Sequence, residues 1–262
     1  MQPTKTKRII KPKIVGGSER FLGYRKISLV NLQGSQIFRD LRALQALPSD
    51  LTCEAANAGQ NTVLVYLIRH GETEWARNGR HTGRANIPLT ETGRTQAGFL
   101  LPIFDEVAFS HILSSPLARA LETARLAGLG KRVELVPDLM EWDYGDCEGI
   151  TSAQIRERVP DWTIWTHPCP NGETINQVAA RADNVIARIR AEKGNIALFS
   201  HGHFLRVFVA RWLDFEPAYG KYFLLETSTL SILGYEGSTP VIKTWNGPLI
   251  TAACAVPWRQ GR

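Results

Sequence analysis

The chain has 262 residues, of which 44% are hydrophobic, and this is enough to bury the core of one sizeable α/β domain. No apolar stretch approaches the length of a membrane span, which argues against a membrane protein. The net charge of +6 comes from residues 1–60, which hold ten Lys/Arg and four Asp/Glu, so the rest of the chain offers no basic face for nucleic acid.

The basic segment 1–60 is interpreted as a flexible N-terminal extension, and residues 61–262 as the folded domain. The extension lacks the apolar core of a secretory signal, but it is basic and poor in acids, as organelle transit peptides are. A short amphipathic helix is predicted from Ser35 to Leu47, ending before Pro48. We therefore predict a cytoplasmic protein, with targeting to an organelle as the alternative.

The four cysteines are spread along the chain without paired spacing. They are Cys53, Cys147, Cys169 and Cys254. This distribution predicts neither a disulfide framework nor a zinc ribbon, and it agrees with a reducing compartment.

The first predicted strand of the domain, Val63 to Ile68, ends abruptly in polar residues. The run is apolar and rich in β-branched side chains, which is typical of a buried strand in a parallel sheet. Arg69, His70 and Gly71 follow it directly. Because ligands of such sheets bind beyond the carboxyl ends of the strands, this position predicts an anion pocket that contains a candidate nucleophile.

The same construction recurs along the chain. A strand at His111–Leu113 leads into a helix that carries Arg119, and a strand at Asn195–Phe199 ends in a segment that contains His201. The other predicted elements, in chain order, are a helix at 90–101, a strand at 133–136, a helix at 173–193, a helix at 204–213, and strands at 222–233 and 241–245 at an antiparallel edge.

These motifs together resemble the histidine phosphatase superfamily, the phosphoglycerate-mutase-like family. The matching segments, which occur in the family's order over about residues 62–232, are Arg69–Trp75, Thr82–Gly83, Pro88–Thr90, Gly93, Ser114–Ala124, Glu141–Gly149 and Ser200–His203. Glu141–Gly149 and Pro170–Thr174 are most similar to the branch of small acid phosphatases and sugar-phosphate phosphatases. The resemblance implies an α/β fold, a three-layer helix–sheet–helix sandwich around a mostly parallel sheet.

The resemblance also implies roles for five catalytic residues. His70 would attack phosphorus and carry a phosphohistidine, for which one ring nitrogen must be unprotonated. Arg69 and Arg119 would bind the phosphoryl oxygens bidentately, and His201 would donate to the same oxygens. Glu141 would protonate the leaving alkoxide and later deprotonate water. Because Asp143, Asp146 and Glu148 lie nearby, each is a rival for the part of Glu141.

Further substrate contacts are expected at eight positions by the same resemblance. They are Arg69, Thr82, Gly83, Arg119, Trp142, Asp143, Tyr144 and Gly202. A structural role is favoured for His203. His201 and His203 have tolerable spacing for a metal, but no carboxylate-rich signature accompanies them, so we predict no metal and no cofactor.

We predict a phosphomonoester hydrolase that acts on a sugar phosphate or bisphosphate. The predicted partner is thus a small phosphorylated metabolite. We predict that the protein binds neither nucleic acid nor a membrane, and a homo-oligomer is an open alternative. A phosphoglycerate mutase is the alternative, weakened because Ala76 replaces the usual asparagine and because Arg156 and Arg158 are not adjacent. A second alternative is not an enzyme but a catalytically inactive domain that binds phosphorylated ligands. It is disfavoured because every expected catalytic position is filled.

Overall fold

The computed structural model of the protein describes residues 63–248. The predicted helix at 35–47, together with Cys53 and Cys254, lies outside these residues, and the domain boundary at residue 61 stays a prediction. The strands are β1 (Leu64–Arg69), β2 (Phe109–Ser114), β3 (Glu134–Leu135), β4 (Asn195–Ser200), β5 (Thr229–Glu236) and β6 (Thr239–Pro248).

The six strands form one sheet in the order β3-β2-β4-β1-β5-β6. Strands β3, β2, β4 and β1 are mutually parallel, whereas β5 is antiparallel to both β1 and β6. The predicted antiparallel edge is therefore present. Arg69 is in register with Ser200, and Ser114 is in register with Phe199. The carboxyl ends of β1, β2 and β4 thus meet at one edge of the sheet.

Helices cover both faces of this sheet. They are α1 (Glu74–Arg77), α2 (Glu91–Gly98), α3 (Leu101–Phe104), α4 (Ala118–Leu126), α5 (Ser152–Arg156), α6 (Ile175–Arg190) and α7 (Gly202–Trp212). Alternate residues of β1 enter opposite cores: Leu67 packs with the core under α6 and α7, and Ile68 packs with the core on the side of α2, α3 and α4. The mostly parallel α/β sandwich is confirmed. No helix in the described part of the chain is long and apolar enough to cross a bilayer.

Helix α6 forms where its sequence pattern predicts it. Thr174 and Gln177 make a capping box at its start, which satisfies backbone N–H groups that the first turn leaves free. Val178, Val185 and Ile189 of the predicted apolar stripe are buried against the sheet. The helix is shorter than the predicted 173–193 by a few residues at each end.

Two other predicted elements have different bounds. The predicted helix at 90–101 is split into α2 and α3, and Thr90 serves as the N-cap of α2. The predicted strand at 222–233 begins only at Thr229, because a 3₁₀ helix at Pro217–Tyr222 and an irregular segment precede it. The carbonyl of Leu225 in that segment accepts a hydrogen bond from Arg69, so the segment serves the strand-end site rather than the sheet.

A disulfide joins Cys147 and Cys169, whose Cα atoms are 5.9 Å apart. The prediction that no disulfide would form is therefore wrong. The two cysteines are 22 positions apart, and they meet because their loops pack together, with the N–H of Asp146 donating to the carbonyl of Pro170 at 2.9 Å. Disulfides persist in oxidising compartments, so the cysteines no longer support a reducing one. The cytoplasmic location stays a prediction.

Candidate active site

His70 lies at the end of β1 and is almost fully buried. Its Nδ1 is 2.7 Å from the carbonyl of Gly71. Because a carbonyl can only accept, Nδ1 carries the proton in this contact, and Nε2 of the neutral ring keeps its lone pair. A Cβ on Gly71 would lie 2.4 Å from the carbonyl oxygen of Gly93, so only glycine fits beside His70.

Burial, together with the nearby Arg119 and Arg69, lowers the pKa of His70 well below its usual range, and the hydrogen bond to Gly71 offsets this only in part. The ring is therefore neutral at pH 7. A neutral imidazole with one tautomer selected by a backbone carbonyl is the form that a nucleophilic histidine needs.

Arg119 projects from the first turn of α4 and is fully buried. Its Nε lies 3.3 Å from Nε2 of His70 and 3.1 Å from Nδ1 of His201, so this one N–H faces both rings. Its two terminal nitrogens donate to the carbonyls of Thr82, Gly83 and Ala85 at 2.8–3.1 Å. The fork of this guanidinium is thus occupied by a loop, and its Nε is the part directed at His70.

His201 follows β4 and is also fully buried. Because its Nδ1 accepts from Arg119, its Nε2 carries the proton and donates to Oγ of Ser115 at 2.8 Å. Burial, with the charge of Arg119 next to it, lowers the pKa of His201 well below its usual range. The ring centroids of His70 and His201 are 5.2 Å apart, so the structure brings the two predicted histidines side by side. His201 itself does not line the cavity, and its N–H donates to Ser115, so its predicted hydrogen bond to the phosphoryl oxygens stays a prediction.

Arg69 lines the cavity beside His70. One terminal nitrogen donates to the carbonyl of Leu225, and Nε is buried without a hydrogen-bond partner between residues 63 and 248. A Cβ on Gly202 would lie 3.3 Å from this guanidinium, so the glycine leaves room for it. Burial lowers the pKa of Arg69, which the charge of Glu141 partly restores.

Glu141 is held at the N-terminus of α7. Its carboxylate accepts backbone N–H groups from Trp142, His203 and Phe204 at 2.8–3.0 Å. Among the residues that line the cavity it is the single carboxylate. Its rivals have other partners: Asp143 caps the N–H of Gly145, Asp146 accepts from Asn171, and Glu148 accepts from a loop at 83–85.

A cavity of about 260 Å³ opens beside His70. Its lining consists of Arg69, His70, Ala76, Gly79, Arg80, His81, Thr82, Glu141, Tyr144, Ser152, Gly202, His203, Arg206 and Leu225. Three arginines against one carboxylate make this cavity suited to an anion.

One wall of the cavity is aromatic. The hydroxyl of Tyr144 lies 2.6 Å from Nδ1 of His203, and the rings of His81 and Tyr144 have centroids 4.9 Å apart. Burial and the charge of Arg156 lower the pKa of His81 to about 4, and burial with the charge of Arg206 lowers that of His203 well below its usual range. The wall is therefore uncharged at pH 7. Sequence reasoning gave His81 no role, although it directly precedes Thr82, and favoured a structural role for His203.

The predicted substrate contacts divide into two groups. Arg69, Thr82, Tyr144 and Gly202 line the cavity, whereas Gly83, Arg119, Trp142 and Asp143 do not. The N–H of Gly83 donates to Glu148, and the indole N–H of Trp142 donates to the carbonyl of Glu173. Within residues 63–248 no three His, Cys, Asp or Glu side chains are grouped to hold a metal ion, and the absence of a metal stays a prediction.

Comparison with known proteins shows the family and the fold. The profile of the histidine phosphatase superfamily (branch 1) matches residues 65–248. The chain is 44% identical over 174 residues, 65% of this chain and 85% of the relative, to an acid phosphatase of Mycobacterium tuberculosis. It is 34% identical to sedoheptulose 1,7-bisphosphatase of Saccharomyces cerevisiae, over 56% of this chain and 66% of that one. A solved structure of mycobacterial glucosyl-3-phosphoglycerate phosphatase is similar with a TM-score of 0.64 and 27% identity, over 70% of this chain and 98% of that one.

Proposed function

The chain belongs to the histidine phosphatase superfamily (branch 1), and we propose that it is a phosphomonoester hydrolase that acts on a sugar phosphate or bisphosphate through a phosphohistidine on His70. The observation that carries this proposal is the state of His70. The ring is neutral, its tautomer is selected by Gly71, it lines the cavity, and the guanidinium of Arg119 lies beside its Nε2.

The reaction has two steps. In the first, Nε2 of His70 bonds to phosphorus while the ester P–O bond breaks, and the carboxyl of Glu141 gives its proton to the leaving oxygen. In the second, water loses a proton to Glu141 and attacks phosphorus, the N–P bond breaks, and phosphate leaves. Phosphoryl transfer depends mainly on positioning and charge stabilisation, which Arg69 and the buried Arg119 supply.

Two further cations that line the cavity, Arg80 and Arg206, support a substrate with a second anionic group. Nε and one terminal nitrogen of Arg206 donate to the carbonyls of Gly220 and Lys221, and its guanidinium lies over the ring of Trp165 at 4.9 Å. Arg80 lines the same cavity. A second phosphate or a carboxylate would bind to these charges, which favours bisphosphates and phosphoglycerates over monophosphates that carry no other charged group.

The test is release of inorganic phosphate from sugar phosphates, sugar bisphosphates, phosphoglycerates and an aryl phosphate, with EDTA present. Wild type is compared with His70→Ala and with the control His167→Ala, which removes an exposed histidine. We expect turnover in wild type and control and none in His70→Ala. Interconversion of 2- and 3-phosphoglycerate faster than phosphate release would favour a mutase, and ligand binding without turnover would favour a binding module.

A further inference from the structure

Glu148 holds a loop that lies between it and Arg119. One oxygen of its carboxylate accepts the N–H groups of Gly83 and Ala85 at 2.9 and 2.7 Å, and the other accepts that of Arg84 at 3.1 Å. Three successive backbone donors on one half-buried carboxylate make a strong, charge-assisted arrangement. The conformation of this loop therefore depends on Glu148.

The opposite side of the same loop binds Arg119. The carbonyls of Thr82, Gly83 and Ala85 accept from its terminal nitrogens at 3.1, 2.9 and 2.8 Å. The peptide groups that join Thr82 to Gly83 and Gly83 to Arg84 thus point their N–H ends at an anion and their C=O ends at a cation. Hydrogen bonds in such a chain polarise and strengthen one another.

Arg119 needs this support because it is fully buried, and no carboxylate of the described residues lies within ion-pair distance of it. Burial lowers its pKa to about 10, and the charges of Glu141 and Glu148 act against that change. The oriented carbonyls take the place of a direct ion pair, and Glu148 is the charge behind them.

The loop is packed so tightly at position 83 that only glycine fits there. A Cβ on Gly83 would lie 2.8 Å from the carbonyl oxygen of Trp142 and 2.9 Å from Oε2 of Glu148. Glycine alone lets the backbone approach the carboxylate from one side and Arg119 from the other.

We propose that Glu148 is a positioning residue for catalysis: it fixes the loop at 82–85, whose carbonyls hold Arg119 so that its Nε faces His70 and His201. This inference rests on the proposed phosphatase function for its catalytic consequence. Glu148 would thus act indirectly, by positioning Arg119. It would not transfer the proton, a role for which the sequence had made it an alternative to Glu141.

The test is a double-mutant cycle, which separates a residue that acts through Arg119 from one that only stabilises the fold. The variants are Glu148→Ala, Arg119→Ala and the double variant, with Glu134→Gln as control because Glu134 pairs with Arg188 on the exposed far edge of the sheet. Measurements are kcat/KM for an aryl phosphate, the Kd of orthovanadate as a phosphoryl analogue, and Tm.

We expect Glu148→Ala to lower kcat/KM about 10- to 100-fold in the wild-type background and less than threefold when Arg119 is already alanine. The control should stay within about twofold of wild type. An equal loss in both backgrounds would overturn the proposal, because Glu148 would then act independently of Arg119.

Glu148→Gln covers the case in which the alanine variant does not fold. An amide oxygen can still accept from Gly83 and Ala85, so we expect a smaller loss than with alanine, and again one that disappears in the Arg119→Ala background. If the loss persisted there, the proposal would fail. Turnover in wild type and none in His70→Ala tests the proposed function separately, and coupling in orthovanadate binding would support the positioning role even if wild type showed no turnover.

Discussion

Nε of Arg119 lies 3.3 Å from Nε2 of His70, and this single N–H also faces His201 at 3.1 Å. A permanent cation therefore lies beside the atom that would attack phosphorus. Burial is the main cause of the lowered pKa of His70, and the charge of Arg119 adds to it, so the imidazole is neutral before the reaction. The same charge would stabilise the negative phosphoryl group as the N–P bond forms. Arg119 thus contributes both to the neutrality of the nucleophile and to stabilisation of the transition state.

Replacing Arg119 should reduce the rate strongly. Arg119→Ala removes the charge beside Nε2 of His70 and releases the carbonyls of the loop at 82–85, so we expect kcat to fall about a hundredfold or more. Arg125→Ala is the matched control, because Arg125 belongs to the same helix, α4, and is exposed. Steady-state kinetics on one sugar phosphate measures both. A loss below about threefold for Arg119→Ala would remove it from the catalytic group.

Glu141→Gln should distinguish substrates by their leaving groups. An amide cannot deliver a proton, so we expect about a 10²- to 10⁴-fold loss in kcat for sugar phosphates, whose alkoxides need protonation. The loss should be much smaller for an aryl phosphate, whose phenolate leaves unaided. Asp146→Asn is the control, since Asp146 is an exposed carboxylate of the same loop. Equal losses on both substrate types would argue against Glu141 as the acid.

The free energy of unfolding should decrease as the pH falls from 7 to 5. His70, His81, His201 and His203 all have lowered pKa values in the folded protein, chiefly because they are buried. Below about pH 6.5 the unfolded chain takes up protons at these positions, whereas the folded protein does not until lower pH, so stability is lost as the pH falls. Urea unfolding at several pH values measures this. Higher stability at pH 5 than at pH 7 would contradict it.

His81→Gln provides a quantitative form of the same experiment. The pKa of His81 is about 4, against about 6.5 for an unperturbed histidine, so its share of the loss at pH 5 is on the order of 1 to 2 kcal/mol. We expect the variant to lose that much less stability between pH 7 and 5 than wild type does. An unchanged slope would mean that His81 is not the buried, neutral group described above.

Reduction of the Cys147–Cys169 disulfide should destabilise the domain. The bridge closes a loop of 22 residues, for which the chain-entropy estimate is about 3 kcal/mol. We expect Tm to fall in the presence of a phosphine reductant. A double serine variant at both positions is the control, because it keeps the other two cysteines and should not respond. An equal response of the control would assign the effect to Cys53 or Cys254.

The sequence by itself determined where β1 and β4 end and that they are buried strands of a mostly parallel sheet. The apolar runs of β1 and β4 end in Arg69 and Ser200, and these positions share an edge because parallel strands run in the same direction. The periodic stripe of α6 likewise required one buried face. Such patterns are local, because the burial of a strand or of one helix face sets the spacing of apolar residues that are near one another in the chain.

Only the tertiary structure decided what the residues at that edge contact. It paired Cys147 with Cys169, turned the fork of Arg119 toward loop carbonyls, and gave Glu148 a place behind the loop. These contacts join residues that are 22 to 65 positions apart. Which groups meet over such separations depends on the path of the whole chain and on the need of each buried polar group for a partner, and no short sequence pattern records that.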